Sequence, residues 1–139
     1  MLRKSIVAAV LALSTLISAT GADAAEVSPM EIQGASTVDS AKAKELFDAG
    51  VIFVDTRKDS DWDAGRIPDA VHLELKSAFN EAALSEVVAK DQEVVFYCNG
   101  ERCMRSSEAC AQAVAWGFSK VYYFRDGFPA WKEAGYPVE

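Results

Sequence analysis

Val94-Val95-Phe96-Tyr97-Cys98-Asn99-Gly100-Glu101-Arg102-Cys103-Met104-Arg105-Ser106-Ser107 opens with four apolar residues that form a short buried-strand signal. The chain then turns through Asn99-Gly100 and enters an alanine-rich segment with helical spacing. Cys98 therefore stands where a strand stops and a helix is about to start. The unpaired N–H groups and positive dipole end of that helix favour an anion, so Cys98 is placed to be a thiolate. A free cysteine titrates near about 8.5, and one at a helix N-terminus or beside cations falls to roughly 3.5 to 7.5. A helix dipole contributes on the order of 0.3 to 2 kcal/mol, which moves a pKa by only about one unit. The remainder must come from the loop itself. Asn99, Gly100, Glu101, Arg102, Cys103 and Met104 can turn several N–H groups inward as an anion-binding nest, with Arg102 and Arg105 as nearby cations. The competing reading is a buried, inert cysteine at a strand end.

Outward from this stretch, strand and helix signals alternate. Downstream, a helix is expected from about Met104 to Trp116, closed by Gly117, followed by a strand over Val121 to Phe124. Pro129 and Gly135 bracket a last helix containing Trp131. Upstream, Ala83, Leu84, Val87 and Val88 fall on one face of a helix starting near Asn80. Ala70 to Leu73 reads as a strand, Ser60 to Ala64 as one helical turn around Trp62, and Val51 to Val54 as a central strand ending at Asp55-Thr56-Arg57. Before it lies a helix capped by Thr37 or Asp39, with Ala43, Leu46 and Phe47 on its apolar face and Gly50 at its end. Ala25 to Gly34 is a polar lead-in, expected to be mobile at first, with Met30 to Gln33 at most a short edge strand. This alternation predicts an α/β fold with a parallel sheet covered on both faces. All strands of such a sheet end on one edge, where open α/β folds bind ligands. Asp55 to Arg57, Leu73-Glu74, Cys98 and Arg125-Asp126-Gly127 should gather there.

The first residues give an address. Arg3 and Lys4 precede an apolar run from Ile6 to Ile17, and Ala22-Asp23-Ala24 supplies a small-x-small cleavage site. Residues 1–24 thus read as a secretory signal peptide, and residues 25–139 as one domain. As a helix, Ser5 to Ala19 rises about 22 Å, short of a hydrocarbon core of about 30 Å, so no stable membrane insertion is expected after cleavage. The expected location is the periplasm, or the exterior if the cell has no outer membrane. Cleavage takes the formal charge from −7 to −8. Such an acidic surface argues against nucleic acid or anionic lipid as a partner. Three cysteines in an exported chain leave at least one unpaired or paired between chains. A zinc site is a poor reading, because three cysteines and the lone His72 show no paired ligand spacing.

These residues resemble the rhodanese homology domain family. Asp55-Thr56-Arg57, followed by Trp62, Gly65 and Arg66-Ile67-Pro68-Asp69-Ala70, is similar to the family's first signature. Val94 to Cys98 resembles its active-site strand and nucleophile, and Arg125-Asp126-Gly127 through Trp131 its closing segment. The resemblance spans roughly Met30 to Val138, and three signatures in order make it specific. It implies a three-layer α/β/α domain with a five-stranded parallel sheet of order 1-5-4-2-3. It also implies a sulfurtransferase cycle in which the Cys98 thiolate takes the outer sulfur of thiosulfate or another sulfane donor as a persulfide. A thiol or cyanide acceptor then removes that sulfur. No metal or organic cofactor is implied; the sequence leaves the oligomeric state open, with a monomer favoured. Asp55 and Arg57 would brace the loop, while Arg102 and Arg105 would attract an anionic donor.

Two departures from the family pattern leave alternatives open. Arg105-Ser106 comes two residues later than the usual arginine after the nucleophile. Either the loop is enlarged and the helix starts at Arg105, or Cys98 to Cys103 is itself the six-residue loop, closed by a thiol. Cys103 is either a helix-start residue with no partner or a resolving thiol that attacks a Cys98 persulfide, releases sulfide and leaves a disulfide. The second role would make the chain a thiol-disulfide redox protein, with a periplasmic redox protein as partner. A third alternative is a non-catalytic binding module that has kept the fold. A phosphatase has the weakest support, since the arginines stand four and seven positions after Cys98 rather than six. Cys110 reads as a small core residue, His72 as structural or solvent-facing, and Trp62, Trp116 and Trp131 as core aromatics.

Overall fold

The strand expected at Val94 to Tyr97 forms at Glu93–Tyr97 and is the middle strand of a five-stranded sheet. The computed structural model describes residues 26–139, so the expected signal peptide lies outside the described residues. In chain order the elements are β1 (Ala35–Thr37), α1 (Ser40–Asp48), β2 (Ile52–Asp55), α2 (Asp59–Ala64) and β3 (Val71–His72). They continue with α3 (Glu81–Val87), β4 (Glu93–Tyr97), α4 (Arg105–Ala115), β5 (Lys120–Phe124) and α5 (Gly127–Glu133). Every strand pair is parallel and the order is β1-β5-β4-β2-β3, as expected.

Alternation along β4 explains the three layers. Val94 and Phe96 enter an apolar cluster with Leu84 and Val88 around α3 and with Ala109, Cys110 and Ala113 of α4. Val95 and Tyr97 point to the other face, into a cluster with Ala43 and Leu46 of α1 and Phe128 and Trp131 of α5. All four β4 side chains are fully buried. At roughly 1.5 to 3 kcal/mol for each large apolar side chain removed from water, β4 is the main apolar anchor of the sheet. Small residues on α4 let it lie close on the sheet, with Cys110 Sγ 3.9 Å from the Tyr122 carbonyl. Burial pushes the Cys110 thiol up, which suits its expected role as a core residue.

Two local expectations need correction, on the edge strand and the tryptophans, and one open choice, the cap of α1, is resolved. The edge strand is Ala35–Thr37, not Met30 to Gln33, because the Ala35 N–H closes a turn onto the Ile32 carbonyl (3.0 Å) and pairing with β5 starts only after it. Asp39, not Thr37, caps α1 by accepting the Lys42 N–H at 2.8 Å, since Thr37 ends β1 and donates its hydroxyl to the Met30 carbonyl. Trp131 is a fully buried core aromatic, but Trp62 and Trp116 are only half-buried. Trp62 instead stacks on His72, with ring centroids 4.7 Å apart, and lies under the Arg66 guanidinium. Among the described residues no helix is long and apolar enough to cross a membrane.

Candidate active site

Strand register brings the chemistry to one edge. Asp55 pairs with Tyr97 and with His72, and Tyr97 pairs with Phe124. Thr56, Cys98 and Arg125, the next residues of β2, β4 and β5, therefore stand level at the C-terminal rim. Cys98 is fully buried there. Helix α4 starts at Arg105, so the loop runs from Asn99 to Met104, the longer of the two alternatives. Cys103 lies inside that loop and is joined to Cys98 by a disulfide, with Cα atoms 6.2 Å apart.

The loop's backbone is anchored by its carbonyls. Cys98 accepts from the Phe128 N–H (2.9 Å), Gly100 from the Cys103 N–H (3.0 Å), and Glu101 from both the N–H (2.6 Å) and the hydroxyl (2.8 Å) of Ser28. In a planar trans peptide the carbonyl and the following N–H point opposite ways. Tying the Cys98 and Glu101 carbonyls to α5 and to Ser28 turns the Asn99 and Arg102 N–H groups away from those partners. Among the described residues, the N–H groups of Asn99, Gly100, Glu101, Arg102 and Met104 find no protein acceptor. Neither do those of Arg105, Ser106 and Ser107, because α4 has no capping side chain. The Ser106 hydroxyl, buried in that first turn, is also without a partner. Free N–H groups in a loop and at a helix N-terminus favour an anion nearby.

A buried ion pair braces the rim. Arg57 forks onto Asp55 through Nε (3.0 Å) and Nη2 (2.7 Å), donates to the Gly65 carbonyl (2.7 Å), and reaches Asn99 Oδ1 (3.3 Å). Asn99 passes the connection on by donating from Nδ2 to Asp61 (2.9 Å). The Tyr97 hydroxyl donates to Asp55 (2.8 Å) and accepts the Ile67 N–H (3.2 Å), so β4 is tied to the same pair. Burial chiefly, and the Asp55 charge after it, push the Tyr97 phenol up, which keeps it a donor. The Arg57 guanidinium also lies 4.5 Å from the centre of the Phe128 ring. His72, whose Nε2 is 2.7 Å from the Arg57 carbonyl oxygen, holds the adjoining turn.

The two loop arginines differ. Arg105 pairs with Glu74, and the Ser77 hydroxyl and then Arg105 hold the Glu74 carboxyl down to about 2. That pair fastens α4 to the segment after β3. Arg102 is exposed, and among the described residues it forms no ion pair. Arg125 turns back to the lead-in, donating to the Ser28 carbonyl from Nε (3.2 Å) and Nη2 (3.0 Å).

A family model described as the Rhodanese-like domain matches residues 39–134. The chain belongs to the rhodanese-like family. This rhodanese-like domain is 36% identical over 88 residues to a protein named sulfurtransferase from Allochromatium vinosum, covering 63% of this chain and 78% of that one. It is 34% identical over 98 residues to the thiosulfate sulfurtransferase GlpE of Pseudomonas savastanoi pv. phaseolicola, covering 70% of this chain and 87% of that one. Among solved structures, the BH2092 protein of Bacillus halodurans superposes with a TM-score of 0.67 at 24% identity, covering 77% of this chain and 78% of that one.

Within the rhodanese-like domain, Asp55, Arg57, Cys98 and the loop residues Asn99 to Met104 do come together at the rim, joined by the contacts above. No role for Ser28 is expected from the sequence. It lies 73 residues from Glu101 in a segment without apolar periodicity, yet it is buried and fixes the loop from outside. The sequence places Glu74 at the rim, and Gly127 both there and in the segment that resembles the family's closing signature. Nothing local in the sequence pairs Glu74 with Arg105 or sets Gly127 against the Cys98 carbonyl.

Proposed function

We propose that this rhodanese-like domain is a sulfurtransferase acting through Cys98. Once the bond to Cys103 is reduced, Cys98 as thiolate attacks the outer sulfur of thiosulfate or a similar sulfane donor. It displaces sulfite and carries the sulfur as a persulfide to a thiol or cyanide acceptor. The observation that carries the reading is the set of N–H groups without a protein acceptor in Asn99 to Arg102 and Met104 to Ser107, around the end of β4. Donors fixed in place beforehand stabilise the thiolate, the developing charge during transfer and the persulfide without reorganising. Arg102, exposed on the loop, supplies an unmatched positive charge in an otherwise acidic protein and so draws in a small dianionic donor. The names of the two bacterial relatives support the same reaction class.

The proposal includes export to the periplasm, supported by the charged, then apolar, then small-residue pattern of residues 1–24 and by a cysteine pair suited to an oxidising compartment. Two measurements test the function. Reduced protein mixed with thiosulfate should form thiocyanate when cyanide is supplied, and Cys98→Ser should abolish it. Undiminished turnover by Cys98→Ser removes Cys98 from the reaction. Export is checked by cell fractionation with N-terminal sequencing of the mature chain, which should begin near Ala25.

A further inference from the structure

Transfer to an outside acceptor leaves Cys103 unused, although its sulfur is bonded to that of the nucleophile. The two cysteines differ in access: Cys98 is fully buried, whereas Cys103 is part-exposed. Cys110 is shut under α4 with its thiol pushed up by burial, so the loop pair acts without it. An external acceptor must diffuse to the persulfide, while Cys103 is already held beside Cys98. Well-placed intramolecular groups behave as if present at up to roughly 10⁵ to 10⁸ M, so even a small fraction of that advantage exceeds a cellular thiol.

We propose that this protein releases sulfide: Cys103 resolves the Cys98 persulfide, and the net reaction reduces the sulfane sulfur of a thiosulfate-class donor with electrons from a dithiol. The inference rests on the Cys98 persulfide described above. In the first step the Cys98 thiolate takes the outer sulfur of thiosulfate, the donor's S–S bond breaks, and sulfite leaves with the electron pair. In the second, Cys103 attacks Cys98 Sγ, and the persulfide S–S bond breaks with its pair going to the outer sulfur. That sulfur departs as hydrosulfide, the Cys103 proton is released to the medium or to the departing sulfide, and the Cys98–Cys103 disulfide remains. The two cysteines are thereby oxidised and the sulfane sulfur is reduced by two electrons. A dithiol then reduces the disulfide and becomes a disulfide itself, which completes the balance: thiosulfate and a dithiol give sulfite, sulfide and a disulfide.

Exposure sets the direction of the last step. Exchange rates depend on which sulfur can be reached and on how readily the other leaves as a thiolate. The part-exposed Cys103 sulfur is the one an incoming dithiol can meet, and Cys98 then leaves into the unclaimed N–H groups of the loop. The product of one turnover is thus the Cys98–Cys103 disulfide, the pairing the structure shows.

Fully reduced protein, desalted free of reductant, is mixed with thiosulfate and followed by intact mass and by sulfide assay, beside Cys103→Ser and Cys103→Ala. The expected result for the natural sequence is one equivalent of sulfide and a mass lower by two hydrogens. Both variants should instead keep one added sulfur atom and release no sulfide. The inference is overturned if the natural sequence holds the added sulfur as durably as the variants do. If neither variant gains sulfur, the Cys98 persulfide itself is lost and both conclusions fall together.

Discussion

Replacing Gly127 by alanine probes how tightly the nucleophile's backbone is held. Gly127 has φ +64°, where a residue with a side chain pays roughly 1 to 2 kcal/mol. A Cβ there would lie 2.3 Å from the Cys98 carbonyl oxygen and 2.9 Å from both the Cys98 carbonyl carbon and the Gly100 nitrogen. Real contacts stop near 3.0 Å, so the two backbones must part by about 0.7 Å. The adjacent Phe128 N–H bond to the same carbonyl, 2.9 Å long, stretches with them and forfeits about 1 kcal/mol. The total is about 2 to 3 kcal/mol, or a fall of roughly 8 to 12 °C in melting temperature for a domain of this size. Because a displacement of about 1 Å can cost on the order of 100-fold in rate, sulfur transfer should fall roughly 10- to 100-fold at a temperature where the variant remains folded. Thermal melts and thiocyanate assays on Gly127→Ala check both numbers. A variant that melts within about 2 °C of the natural protein and turns over normally refutes the claim that this contact positions Cys98.

Other substitutions test the surrounding supports. Ser28→Ala removes one of the two donors on the Glu101 carbonyl. It should cost about 1 kcal/mol in urea unfolding and also raise the pH at which Cys98 is alkylated; a stability change alone would show that Ser28 merely ties down the lead-in. Arg57→Met strands the Asp55 carboxylate in the core, and a loss of about 3 to 5 kcal/mol is expected, partly restored by adding Asp55→Asn. A loss under about 1 kcal/mol would mean that the pair does not brace the rim. Glu74 has a carboxyl lowered from 4.5 to about 2, so its stabilising effect is complete above 4.5 and disappears as pH falls towards 2. The stability gap between the natural protein and Glu74→Gln should therefore close across that window, and a gap that is constant with pH excludes the Arg105 ion pair as its source.

The fold was legible because its signals are local. The apolar runs at Val51 to Val54 and Val94 to Tyr97, the glycine stops at Gly50 and Gly117, and the alternation of strands with helices suffice for a parallel sheet. The strand order came from the resemblance, since no local signal states which strands pair. At the site, Asp55, Arg57 and Cys98 could be placed because strand ends in a parallel sheet must share an edge. The contacts of Ser28 and the Glu74–Arg105 pair are not legible there, because each joins segments far apart in sequence, where composition and periodicity carry no information. Whether Cys98 and Cys103 bond depends on loop geometry, which their spacing of five residues permits but does not dictate.

The central claim is that backbone N–H groups hold negative charge on Cys98, and the pH dependence of its alkylation tests this most directly. With Cys103→Ser protein, so that only one loop thiol can react, the iodoacetamide rate should rise to its plateau with a midpoint well below the ordinary cysteine value of about 8.5. A midpoint at or above about 8.5 would show a buried, undisturbed thiol and contradict the account.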